Sequence, residues 1–323
     1  MKIAIIGAGI SGLTAAYHLR HDHQITVLEG NSYVGGHTNT IDVEESGKVY
    51  AVDTGFIVFN YRTYPNFKKM LDALDVASQP TSMTFSVKCD RTGLEYRGAD
   101  LLGFFAQRRN LFRPRYYVFL RDMLRFNRLA QATLVDPDAA EETLTVREFF
   151  DRHPFSQEFI EHYFLPMGSA VWSCPRGVFM EFPIRFIVEF YQNHGMLAVQ
   201  GRPQWRVIQG GSRQYVGPLT AQFAEALEAD CPVTSVRRVG ERVKIQSRRG
   251  EEMFDHVIFA CHSDQALQIL GDTATATERE LLGAFPYEEN VTLLHTDTSV
   301  LPACRRAWAA WNYHVPQEDT GKA

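Results

Sequence analysis

The sequence predicts an α/β fold: a parallel sheet packed by helices, with an α+β segment inserted between its two halves. Three observations predict it. The apolar run Ile3-Ala4-Ile5-Ile6 ends in Gly7-Ala8-Gly9-Ile10-Ser11-Gly12. A second short apolar stretch, Gln24–Leu28, ends on Glu29. A strand–helix–strand–hairpin–strand order follows at 206–260, after a long stretch of different pattern.

Residues 3–6 suit a strand buried on both faces of a parallel sheet. Gly7 lets the chain turn tightly into a helix. Gly9 has no side chain to block a phosphate, and Gly12 lets the helix press on the strand. Ser11 lies inside this turn, where free N–H groups and the positive end of the helix dipole suit a pyrophosphate. Leu13, Ala16 and Leu19 give the helix its apolar stripe. Glu29, at the carboxyl end of the second strand, is placed to accept both ribose hydroxyls of an adenosine. A secretory leader is a poor fit to the opening residues, because three glycines interrupt the apolar run and no small-residue cleavage site follows.

Gly35-Gly36-His37-Thr38 and Val52-Asp53-Thr54-Gly55-Phe56 come next. With the opening motif they resemble the flavin-containing amine oxidase superfamily, which includes monoamine oxidases, phytoene-type desaturases and protoporphyrinogen oxidase. The resemblance implies a Rossmann-like FAD-binding domain of the glutathione-reductase type with an inserted α+β substrate or cap domain. It also implies that Gly35, Gly36, His37 and Thr38 lie along the FAD pyrophosphate and ribityl chain, with Gly55 behind them. His37 stands where the superfamily usually has Arg, and a neutral imidazole holds phosphate less well than a guanidinium fork. Gly210-Gly211-Ser212, Cys231-Pro232-Val233 and the strand ending at Ala260 resemble the second half of the same domain, which implies that the Val233 backbone meets the adenine. The implied division is 1–60 with 206–275 for FAD, and 61–205 with 276–323 for the substrate or cap.

Strands are expected within 41–59 and at Met83–Val87, the latter pairing with Gly93–Tyr96. A helix is expected over Tyr61–Asp75, with Phe67, Met70, Leu71 and Leu74 on one face. Thr145 with Glu148, and Ser156 with Glu158, read as helix starts, and Pro166 is expected to end the second helix. A helix is expected from Ser212 through Leu227, and another over Glu278–Phe285. Asn290–Leu294 and Trp308–Tyr313 read as strands, and residues 242–254 as a hairpin around Arg249-Gly250.

The segment 101–134 interleaves Arg108, Arg109, Arg113, Arg115, Arg121, Arg125 and Arg128 with Phe104, Phe105, Phe112, Tyr116, Tyr117, Phe119 and Phe126. Two readings stand for it: a cap helix with a solvated basic face, and a surface at 104–128 that meets anionic membrane lipids peripherally. Nucleic acid ranks third for this segment because the overall charge is −5, and none is expected as a partner. Five dispersed cysteines suit a reducing compartment, and no apolar run reaches membrane-span length. The expected location is the cytoplasm, in peripheral contact with the inner face of the membrane on the second reading. The oligomeric state is left open.

The resemblance implies hydride transfer from a substrate C–H to flavin N5, with reoxidation by O2 or another acceptor. Substrate-side candidates are Trp172, His194 and Trp205. No Lys lies between Val257 and Pro316, where amine oxidases often place one, so a small-molecule substrate of apolar or lipid character is expected. Alternatives are an acyl-chain or isoprenoid desaturase at a membrane surface, a non-catalytic FAD- or nucleotide-binding protein and, ranked last, an NAD-dependent dehydrogenase. No metal site is expected. Asn193-His194-Gly195, Arg202–Trp205, Gly210–Ser212, Leu294–Asp297 and Trp311–Tyr313 resemble a bacterial branch described only as predicted NAD/FAD-binding oxidoreductases. Superfamily members continue past this length with a Gly-rich segment facing the flavin pyrimidine, so the chain is expected to be a fragment that exposes apolar surface and aggregates.

Overall fold

The computed structural model describes residues 1–135, 143–198, 201–287 and 289–317. The chain divides into two compact units. The first is Met1–Phe59, Pro65–Gln79 and Arg206–Leu294; the second is Asn60–Tyr64, Pro80–Trp205 and His295–Ala323.

In the first unit the strands Leu227–Glu228, Gln24–Leu28, Lys2–Ile6 and His256–Phe259 lie side by side in that order, all parallel. Ala4, Ile5 and Val27 are fully buried, as a strand covered on both faces requires. The helix Ile10–Leu19 buries Gly12, Leu13 and Ala16. A three-stranded antiparallel sheet, Val233–Val239, Arg242–Ser247 and Gly250–Phe254, contributes Val236, Ile245 and Phe254 to the same core as Ala4, Ile6 and Leu28. Its hairpin turns at Arg249-Gly250, as the sequence predicts. Phe67, on the helix Pro65–Ala73, meets the rings of Phe56, Phe59 and Tyr215 edge-on at 5.0–5.5 Å.

Several expectations for this unit need correction. Residues 56–58 form no strand; only Thr40–Glu45 and Lys48–Asp53 pair across 41–55. The helix expected from Tyr61 begins at Pro65. Asn60 delays it, because its side-chain oxygen accepts the backbone N–H groups of Arg62 and Thr63 and holds a turn. The helix expected over 212–227 is a 3-10 turn, Ser212–Tyr215, and a helix that stops at Thr220. The Thr220 hydroxyl bonds back to the carbonyls of Val216 and Gly217. Leu227 is in the parallel sheet instead. Asn290–Leu294 has no regular structure; Val291 is 91% exposed and no strand pairs with it among the described residues. A helix not foreseen, Ser263–Leu270, follows the strand at 256–259.

The second unit has a mixed sheet in which Phe85–Cys89 pairs antiparallel with Leu94–Arg97 and parallel with Trp311–Val315. Trp308 lies outside this strand, its indole N–H donating to the Pro302 carbonyl. The core beside the sheet is aromatic: Phe126, fully buried, meets the rings of Phe149, Phe155, Phe159 and Phe164 at 5.2–6.3 Å. Thr145 and Glu148 form the expected capping box.

Pro166 does not end its helix, contrary to expectation. Helical structure runs Gln157–Phe159, then a π-turn Ile160–Phe164, then Leu165–Trp172. Pro166 has no N–H for the His162 carbonyl four residues back. The Tyr96 hydroxyl supplies the missing donor at 2.7 Å. Tyr96 is fully buried, and burial pushes its phenol well above its ordinary range, so it stays protonated. Tyr96→Phe should therefore leave the shape intact and strand a buried carbonyl. The expected cost is about 1–3 kcal/mol, read as a lower urea midpoint at unchanged m-value; an unchanged midpoint would contradict this account of how the proline is tolerated.

Candidate functional site

The carboxyl ends of the parallel strands carry Gly7, Glu29 and Ala260, the side of such a sheet on which ligands bind. Ala8 joins the first two. Its N–H donates to Glu29 Oε2 at 2.7 Å, and its carbonyl accepts the Gly35 N–H at 2.9 Å. Gly9 and Gly35 form a parallel bridge, so the two glycine motifs lie against each other.

The glycines are required by contact. A Cβ on Gly12 would sit 1.9 Å from the Gly7 carbonyl oxygen, and one on Gly55 would sit 2.1 Å from that of His37. Gly9 is different. It precedes the helix Ile10–Leu19, gives it no side-chain cap, and a Cβ there would meet nothing within 4 Å. An open space over an uncapped helix start suits a phosphate. These residues fit FAD.

Each oxygen of the Glu29 carboxylate already accepts from the protein: Oε2 from Ala8, and Oε1 from the Asn31 N–H and side-chain amide at 2.9 and 3.1 Å. Oε2 keeps a second lone pair for a hydroxyl. Val233 is brought near by the segment before it, where the Cys231 N–H donates to the Glu29 carbonyl at 2.7 Å. Ala260 lies under the turn: its N–H donates to the Ile6 carbonyl, and its own carbonyl is the nearest neighbour of a Cβ on Gly7. Thr38 is buried and hydrogen-bonded to the Tyr215 hydroxyl, which burial raises above its ordinary pKa.

His37 is exposed and stacks on His262 at 5.7 Å, which stacks on Tyr287 at 4.8 Å. Sequence reasoning missed this three-ring stack. The signal available was His262, a ring residue three positions past the strand His256–Phe259. It also passed over Asp53 as more than part of a motif. Asp53 Oδ1 accepts from the Thr40 hydroxyl at 2.6 Å and from the Ser212 N–H and hydroxyl at 2.8 and 2.9 Å, tying the second Gly-Gly turn to the hairpin.

Trp172, His194 and Trp205 belong to the second unit, where a chain of rings joins them. Trp172 meets Phe190 at 4.9 Å; Phe190 stacks on His194 at 3.9 Å; His194 stacks on Trp205 at 6.1 Å. His194 closes the helix Ile184–Asn193, and Gly195, at φ +69°, follows it. The Gly195 and Met196 N–H groups return to the Gln192 and Tyr191 carbonyls, which completes the helix end. His194 Nδ1 lies 2.8 Å from the Phe190 carbonyl, which can only accept, so Nδ1 is the donor in this bond. A cleft of about 730 Å³ is lined by Arg62, Thr63, Tyr64, Gln192, Asn193 and His194. No cluster able to hold a metal ion occurs among the described residues.

This arrangement defines a dinucleotide-binding α/β protein with two glycine turns at one mouth. The family model for flavin containing amine oxidoreductase matches residues 10–290. The chain belongs to that family, and its cofactor is FAD. It is 42% identical over 55 residues to the flavin-dependent L-tryptophan oxidase RebO of Lentzea aerocolonigenes, a match covering 17% of this chain and 12% of that protein. Among solved structures it is similar to a redesigned putrescine oxidase, with a TM-score of 0.67 and 16% identity. It is also similar to cyclohexylamine oxidase from Brevibacterium oxydans IH-35A, with a TM-score of 0.66 and 19% identity. Each of these two structural matches covers 87% of this chain and 62% of the other, so the chain spans less than two thirds of these structures.

Gly9→Ala separates cofactor binding from folding. The apoprotein should unfold at an unchanged temperature, because the added methyl meets nothing. FAD affinity should fall roughly tenfold or more, about 1.4 kcal/mol, in a fluorescence titration. A loss of stability with unchanged FAD affinity would place the open space elsewhere.

Proposed function

We propose that the protein is an FAD-dependent oxidoreductase acting on a small molecule of apolar character. The observation that carries this reading is Ala8, bonded through both of its backbone groups so that the two glycine motifs form one cradle. Bound FAD supplies the hydride acceptor at N5 and passes the electrons on to O2 or another acceptor. The residues of this chain bind and orient. Gly9 and the N–H groups of Ile10 and Ser11 would hold the pyrophosphate, Glu29 the ribose and the Val233 backbone the adenine, and Gly35 to Thr38 would follow the pyrophosphate and ribityl chain.

Trp172, Phe190 and Trp205 supply an aromatic wall that excludes water and holds an apolar substrate. His194 Nε2 is the group able to accept a proton as hydride leaves the substrate. We propose further that the substrate is drawn from a lipid surface on the inner face of the membrane. The absence of Lys from 257–316 and the exposed apolar residues of 101–124 support this.

The first test is the absorption spectrum of the purified protein, followed by identification of the released chromophore. Oxidised-flavin bands and FAD on denaturation are expected, with anaerobic bleaching by a substrate. A colourless protein that takes up no FAD would overturn the reading, and bound flavin that no substrate bleaches would leave a binding protein without catalysis. His194→Ala should slow flavin reduction about 10²-fold with the FAD spectrum unchanged. A change smaller than about threefold would leave His194 a packing residue.

A further inference from the structure

The helix Pro114–Val135 separates its charges by face. Tyr116, Phe119, Phe126 and Ala130 are buried in the aromatic core. Asp122, the one acidic residue between positions 101 and 135, is turned inward with them. It is 1% exposed, and its Oδ2 accepts the Ser156 N–H at 2.8 Å. The outward stripe reads Tyr117, Arg121, Leu124 and Arg128, at spacings of four, three and four, all exposed. It therefore alternates apolar and cationic groups, and among the described residues only Arg121 of its two arginines is paired, with the inward Asp122 carboxylate at 3.1 Å.

The segment before the helix extends this surface. Leu101, Leu102 and Phe112 are 75%, 74% and 86% exposed, and Arg108, Arg109, Arg113 and Arg115 are exposed around them. The segment is held to the helix, so these side chains share one patch. The Tyr116 hydroxyl donates to the Phe104 carbonyl and the Tyr117 hydroxyl to the Leu111 carbonyl, and Phe105 meets the rings of Tyr116 and Tyr117 at 5.5 and 6.0 Å. A face evolved only for water has no use for Leu102 and Phe112 at such exposure. Arginines interleaved with aliphatic and aromatic side chains match the boundary between headgroups and acyl chains. No helix of the described residues is long and apolar enough to cross a membrane, so the contact is made on the surface.

We propose that Leu101, Leu102, Phe112, Tyr117 and Leu124, ringed by Arg108, Arg113, Arg121 and Arg128, form a docking surface for an anionic phospholipid bilayer. The inference deepens the lipid-surface reading above and rests on it for its purpose, while its test is independent of flavin chemistry.

The FAD-loaded protein is sedimented with vesicles of phosphatidylcholine alone and of phosphatidylcholine with phosphatidylserine, at low and high salt. Binding to the anionic vesicles at low salt and its loss in high salt are expected. Arg108→Gln with Arg113→Gln should lower the partition coefficient about fivefold per arginine, and Phe112→Asp roughly tenfold or more. All three side chains point to solvent, so the variants should keep the flavin spectrum and unfolding temperature of the parent. Absence of binding at low salt, equal binding to both vesicle types, or variants that bind like the parent would overturn the proposal. Variants that instead abolish self-association in light scattering would make a second copy the occupant and also overturn it. Vesicle binding without substrate-driven bleaching would sink the oxidoreductase reading alone.

Discussion

The first unit depends on one residue with no chemistry of its own. Ala8 is fully buried, and both of its backbone groups are committed. Its N–H fixes the Glu29 carboxylate, and its carbonyl fixes the second glycine turn through Gly35. Glu29 then fixes Asn31 through its carboxylate and Cys231 through its carbonyl. Three stretches far apart in sequence, at residue 8, at 29–35 and at 231, are therefore held together by hydrogen bonds to Ala8 and Glu29. A buried unpaired N–H or carbonyl costs about 1–3 kcal/mol, so the arrangement is selected as a set. Gly7 beside Ala8 and Gly36 in the second glycine turn are constrained in the same way, since a Cβ on Gly7 would sit 2.7 Å from the Ala260 carbonyl oxygen and one on Gly36 would sit 3.1 Å from the Gly9 Cα.

The second unit solves a different problem. A proline sits inside a buried helix, and the backbone must still be satisfied. The π-turn at Ile160–Phe164 shifts the helix bonds by one residue there, and the Tyr96 hydroxyl closes the gap left at His162. Tyr96 lies on a sheet strand, so the helix and the sheet are joined by a polar contact inside an otherwise aromatic core. Such a contact fixes alignment where ring against ring alone would tolerate sliding. Further along, the helix Ile184–Asn193 ends in a glycine turn that leaves His194 with Nδ1 bonded to the Phe190 carbonyl.

The sequence made the strands Lys2–Ile6 and Gln24–Leu28 legible because each is short, largely apolar and closed by a glycine or an acid, whereas Leu227–Glu228 reads as the end of a helix. The Rossmann-type start, the hairpin at Arg249-Gly250 and the capping box at Thr145 depend on neighbours a few residues apart, and they appear where the pattern puts them. What was not legible depends on distant partners. Pro166 reads as a helix end until a tyrosine seventy residues earlier is known to supply its missing donor. Asn290–Leu294 reads as a strand from its Val and Thr content, yet a strand forms only where a neighbour pairs with it. The stack of His37, His262 and Tyr287 joins positions separated by more than two hundred residues, and no local period announces it. Trp172, His194 and Trp205 were picked one at a time, and only Phe190, chosen by no motif, connects them.

The stack also explains how the chain manages without arginine at position 37. A guanidinium brings a fixed charge and a fork of donors, whereas an imidazole brings one ring whose orientation must be set from outside. Stacking on His262, itself stacked on Tyr287, limits how that ring can turn. On the proposed reading the pyrophosphate is held mainly by the backbone N–H groups at the uncapped start of Ile10–Leu19, which are dipoles fixed by the fold. Gly9 must stay bare for those groups to be reached. Ala8 is what prevents it from moving, and this is why a residue without a functional side chain governs the cradle.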